Sequence, residues 1–146
     1  VTSPVVRVDG LKELRKALRE IDRAAPRELR KANKEAVERV IIPRARKRAE
    51  ETRTNLAGRP TRLGSRGVAT IRPQVDQTRA AVVMGGPRAP YAVGHEWGAK
   101  RYRQFPPANR QGYILYPTVQ EHREEIVRVY DELIGDVINE WFGSGP

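Results

Sequence analysis

Apolar residues in the first part of the chain recur at helical spacing. Leu11, Leu14, Leu18 and Ile21 form one stripe, with mostly charged residues between them. The pattern predicts a helix starting near Gly10, capped by Asp9, and ending near Ala24 and Ala25 ahead of Pro26. Pro26 then suits the first turn of a second helix, whose face is Leu29, Ala32, Ala36, Val40 and Ile41. Pro43 lacks an N–H and crowds the preceding turn, so this helix must kink, or end and restart. The basic stretch 44–53 continues it, with fraying expected at 55–58.

The period then shortens. Val68–Arg72 and Arg79–Met84 are short β-branched runs separated by the turn residues of 73–78, which predicts a hairpin. Residues 113–116 (YILY) read as another strand stopped by Pro117. Thr118 and Glu121 match a capping box for a last helix. Its apolar face is broad: Ile126, Tyr130, Leu133, Val137 and Trp141, widened by Val129, Ile134 and Ile138. Residues 57–67 and 99–112, rich in Gly, Pro and Arg, read as exposed loops. Residues 1–8 read as an extended segment without a signal peptide's basic-then-apolar order, and 143–146 as a flexible tail. The expected fold class is α+β, as one domain. Two N-terminal helices, the second long and kinked, precede a small antiparallel sheet and a C-terminal amphipathic helix packed on it.

Composition narrows the chemistry. The 146 residues contain no Cys, which excludes disulfides, thiolate metal sites and thiol catalysis, and two His residues do not make a usual histidine zinc site. His95-Glu96 fails the zincin pattern because no second His follows. Phosphate-cradling loops and the G-x-S-x-G elbow are absent. No catalytic, metal or cofactor site is expected.

The net charge of +10 is unevenly spread and on its own suggests a polyanion partner. Residues 1–62 hold 18 Lys and Arg against 9 Asp and Glu, 63–116 hold 8 against 2, and 117–146 hold 2 against 7. A basic body with an acidic C-terminal segment suits head-to-tail packing against copies or charged neighbours. It also fits a basic nucleic-acid-binding domain, with Tyr91, Trp97, Tyr102, Phe105 and Tyr113 interleaved among Arg88, Arg101, Arg103 and Arg110, although core and interface packing is the favoured reading of these aromatics.

Two segments carry a family resemblance. The run VRVDGLKELRKALREID is one. The other comprises Tyr91-Ala92, Glu96-Trp97-Gly98, Phe105 with Pro107, and Tyr116-Pro117 before the last helix. Together they resemble the neck and minor tail-component family of long-tailed phages, the head–tail joining or tail-completion proteins. The resemblance departs at Pro60–Gly64, where many members carry Thr-Gly-x-Leu, and in a longer stretch at 101–111. It implies a structural virion protein, assembled in the host cytoplasm, that forms a homo-oligomeric ring, a hexamer, in the neck. Its implied partners are other neck and tail proteins (head-completion or stopper, and tail terminator) and passing genomic DNA contacted without sequence specificity. No membrane is implied. On this reading the motif shapes the core and the subunit contact, with Trp97 as an anchor and Glu96 as a partner for an arginine of an adjacent chain. The loops bearing Arg59, Arg62 and Arg66, and Arg101, Arg103 and Arg110, are the candidates for contacts with other proteins.

Overall fold

A computed structural model describes residues 5–6 and 11–143. The element order is β1 (Val5–Val6), α1 (Leu11–Ile21), α2 (Arg27–Ala36), a π-helical stretch (Val37–Ile41) and α3 (Ile42–Ala49). Next come β2 (Arg53–Thr54), β3 (Pro60–Thr61), α4 (Ser65–Val68), β4 (Arg72–Val75) and β5 (Ala80–Val83). The chain closes with α5 (Ala92–Trp97), α6 (Leu115–Glu121) and α7 (Arg123–Phe142). The architecture is α+β. One antiparallel sheet has the order β1-β5-β4, with Val5 opposite Ala81 and Gln74 opposite the same residue on the far side. A separate two-stranded ribbon pairs β2 with β3.

Pro43 does not stop the helix that contains it. The turn ahead of it widens instead, and the N–H of Ile42 reaches back five residues to the carbonyl of Val37. Arg44 folds back onto the Val40 carbonyl at 2.9 Å. The helical path from Arg27 to Ala49 thus survives a residue that cannot donate, with the irregularity concentrated at Val37–Ile41.

The core has two parts. In the larger one, Ala36, Val40, Ile41, Ala45 and Ala49 of the long helix meet Leu63, Ile71, Ala80 and Val82, together with Leu115, Ile126 and Tyr130. The smaller one joins Leu11 and Leu18 of α1 to Leu29 and Ala32 of α2 and Val137 of α7. Helix α7 packs chiefly along α2 and the π stretch. Where they meet, the Tyr130 hydroxyl donates to Asn33 Oδ1 at 2.6 Å, and Asn33 Nδ2 donates to the Asp76 carbonyl at 2.7 Å. One buried amide therefore ties α7, α2 and the β4–β5 turn together. Burial raises the Tyr130 pKa well above the ordinary phenol value, so its proton stays on that bond.

Several sequence expectations change. The segment 113–116 is not a strand, because α6 begins at Leu115. Thr118 lies inside α6 with its hydroxyl on the Ile114 carbonyl, Glu121 pairs with Arg48, and α7 starts at Arg123 without a side-chain cap. Val68 ends the short α4, so the first hairpin strand starts only at Arg72. The segment 57–67 is not all loop: it holds β3, and Leu63 is fully buried. The Asp9 cap and residues 144–146 of the expected tail lie outside the described residues.

Removing one atom from the buried network tests its weight. Tyr130→Phe leaves Asn33 Oδ1 without its donor, and a loss of about 1–2 kcal/mol is expected by urea denaturation. Asn33→Ala severs the turn as well and is expected to cost more than Tyr130→Phe in the same measurement.

Candidate functional site

The residues that carry the family resemblance converge around one buried carboxylate. Glu96 lies on α5, which stops at Gly98 with φ 69°. Its side chain is directed at the first turn of α6. Oε2 accepts the N–H of Ile114 at 2.9 Å and of Leu115 at 2.7 Å, and Oε1 accepts that of Tyr116 at 3.3 Å. The first N–H groups of a helix lack internal partners, and an anion there also meets the positive end of the helix dipole. Glu96 thus caps a helix 18–20 residues further along the chain. It is 4% exposed, which corrects the expectation that it reaches an arginine of an adjacent chain: both oxygens are held internally.

The intervening loop is fitted to this arrangement through glycines. A Cβ on Gly98 would lie 2.1 Å from the Pro107 carbonyl oxygen, and one on Gly112 (φ 79°) would lie 2.3 Å from Glu96 Oε1. Backbone bonds hold the loop at several points. Ala99 N–H donates to Pro106 O (2.9 Å), Asn109 N–H to Trp97 O (2.8 Å) and Tyr113 N–H to Glu96 O (2.8 Å). Phe105 seats its ring edge-on to His95 at 5.3 Å and covers Gly94, where a Cβ would be 2.6 Å from the ring. Trp97 is half-buried against Tyr116, with ring centroids 5.0 Å apart.

Arg53 closes the site from β2. It donates to the carbonyls of Tyr113 (3.1 Å) and Arg48 (3.2 Å), and its guanidinium lies 5.3 Å from the Tyr113 ring centroid. Burial pushes the Glu96 carboxyl above its ordinary 4.5, against the opposing pull of the Leu115, Tyr116 and Ile114 N–H groups and of Arg53. Burial also pushes His95 below 6.5, aided by the Arg53 charge.

The predicted residues therefore separate into two groups. Ala92, Glu96, Trp97, Gly98, Phe105 and Tyr116 are brought together, with Tyr91 at the head of α5 and Pro117 inside α6. Pro107 contributes its carbonyl, which also accepts the Tyr113 hydroxyl at 2.7 Å, while the buried proline is its neighbour Pro106. Arg59, Arg62, Arg66, Arg101, Arg103 and Arg110 are all exposed. The sequence reading missed Gly94, Gly112 and Arg53. The two glycines carried the available signal, since each directly precedes or follows a segment with aromatic and Pro residues. Arg53 gave none, being one of many arginines in its stretch.

Among the described residues, no group of three or more His, Asp or Glu could hold a metal ion, and no helix is long and apolar enough to cross a membrane. No protein-family model, curated protein or solved structure matches the chain.

Glu96→Ala strands three N–H groups, two of them buried, and a loss of about 3 kcal/mol is expected, with hydrogen exchange accelerated first at 113–116. The pH dependence has a defined sign. The native Glu96 carboxyl holds its proton more tightly than the ordinary value of 4.5 allows in the unfolded chain. Its contribution therefore favours the fold below 4.5 and declines as pH rises through the raised native value. In paired thermal melts from about pH 4 to about pH 7, wild type is expected to lose ground to Glu96→Gln, the His95 contribution being common to both.

Proposed function

We propose that this chain is a structural, ring-forming neck protein of a tailed phage that joins the head connector to the tail. Support comes first from the resemblance at Tyr91–Gly98 and Tyr116-Pro117. The observation that carries the assembly part is the outer face of α7. Ile126, Tyr130 and Val137 are buried in the two core clusters, whereas Val127, Ile138 and Phe142 are 47%, 40% and 45% exposed. These positions, with Asp131 and the half-buried Ile134 between them, follow helical spacing along one side. Gly135 lies beside them with nothing within 4 Å of a Cβ built on it. A glycine in mid-helix lowers helix stability by about 1 kcal/mol relative to Ala, and no packing within the chain requires it here. Close approach of a second backbone accounts for both the glycine and the uncovered apolar residues.

Charge fits this reading less simply than the raw asymmetry suggests. Glu125 pairs with Arg44 at 2.9 Å and Glu121 with Arg48, so part of the acidic C-terminal segment is neutralised by the basic helix of the same chain. The remaining exposed acids of α7 flank its apolar stripe and would set register in a heterologous contact that closes into a ring.

Native mass spectrometry and negative-stain microscopy test the reading by looking for closed rings of the wild-type chain, alone and with a portal or tail-tube partner. Ile138→Glu is expected to abolish them while leaving the monomer folded. Gly135→Ala is expected to stabilise the monomer by up to about 1 kcal/mol and still weaken assembly, two effects of opposite sign. A chain that stays monomeric with every partner, or rings indifferent to both substitutions, would count against the proposal.

A further inference from the structure

We propose that the turn joining β2 to β3, together with the loop 99–112, forms one surface that binds the phosphodiester backbone of nucleic acid without reading its sequence. The two segments are far apart in sequence but joined by backbone bonds. Leu56 N–H donates to the Phe105 carbonyl at 2.9 Å, and Ala57 N–H donates to the Arg103 carbonyl at 3.2 Å. The turn is itself fixed, because Asn55 Oδ1 accepts the N–H groups of Ala57 and Arg59, each at 2.9 Å. The loop is held against α5 by the Gly98–Pro107 approach. Arg59, Lys100, Arg101 and Arg103 project from this joined framework and are exposed. Among the described residues none of these four has an ion-pair partner.

The turn at 55–59 and the loop 99–112 carry cations and no acid. From residue 52 to 120 the only acids are Asp76 and Glu96. Glu96 is buried under α6, and Asp76 sits in the β4–β5 turn with Oδ1 on the Thr78 N–H at 2.7 Å. Three of the four cations are arginines, whose planar fork matches phosphate oxygens. Tyr102, between two of them, is 65% exposed, more than any other large apolar side chain among the described residues, and offers a ring to a sugar or an unstacked base. Cations on a backbone already tied in place lose little freedom on binding. A protein partner is the weaker fit. Interfaces that fix a register usually present both signs, whereas these two segments present one.

Fluorescence anisotropy of the full chain with two duplexes of unrelated sequence, over a salt series, tests this. Four phosphate contacts predict a slope of log K against log salt of about −3.6, equal for both duplexes. Arg101→Ala combined with Arg103→Ala is expected to flatten the slope by about two units while leaving the urea midpoint unchanged. Arg101→Lys with Arg103→Lys is expected to restore most of it, since the charge is kept. Three outcomes would overturn the proposal: no binding, a slope the double alanine variant shares with wild type, or tighter binding to a peptide of the α7 sequence than to either duplex.

Discussion

The structure turns on a carboxylate placed where its charge costs most. Glu96 is taken out of water, which disfavours its ionised form, and is met by three backbone N–H groups at the start of α6 and by the nearby Arg53 guanidinium. A buried acceptor of this kind leaves little latitude to its surroundings. Gly112 has no room for a Cβ because the carboxylate oxygen occupies that space, and Gly98 has none because Pro107 closes over it. The path of the loop 99–112 is therefore set at both ends by one ion and two glycines. What the loop presents to solvent follows from that.

A second polar constraint works in the other half of the core. Asn33 satisfies both ends of its amide at once, toward Tyr130 and toward the β4–β5 turn. Unlike an apolar contact, which tolerates sliding, this bond fixes the rotation of α7 about its own axis. Fixing that rotation decides which residues of α7 face away from the core. Val127, Ile138 and Phe142 are left outside because Tyr130 is pinned inside. The uncovered stripe that the proposed assembly relies on is in this sense set by a hydrogen bond on the opposite side of the helix.

Local rules made much of the fold legible. Leu11, Leu14 and Leu18 of the α1 stripe, the turn at Pro26, the disturbance ahead of Pro43 and the buried face of α7 all follow from periodicity and from the missing proline N–H, whereas Ile21, the last member of that stripe, is exposed. The failures around α6 share one cause, a long-range partner overriding a local pattern. Thr118 and Glu121 match a capping box, yet the helix starts at Leu115 because a carboxylate from α5 caps it there. The β-branched and aromatic run at 113–116 resembles a strand for the same reason: nothing nearby in sequence shows that its N–H groups point at Glu96. A glutamate beside an aromatic and a glycine reads as a surface charge, since acids are seldom buried without partners, and the partners here were backbone groups that no side-chain pattern reveals.

The two outward surfaces differ in a way that suits them to the separate tasks proposed for them. On α7 the exposed groups are apolar, with acids interspersed, on a regular helix with a glycine that admits close approach. Such a surface gains from excluding water and needs a partner of matching shape. The joined loops offer the opposite: charge of one sign, arginine forks, little apolar area apart from Tyr102, and a backbone braced from behind. A surface of that kind gains by releasing counterions from a uniformly charged polymer and needs no fixed register. If copies pack through α7, the loops need not be covered, because the Glu96 clasp holds them in place from within the same chain. Self-assembly and contact with nucleic acid then draw on different residues, and neither requires the other to be undone.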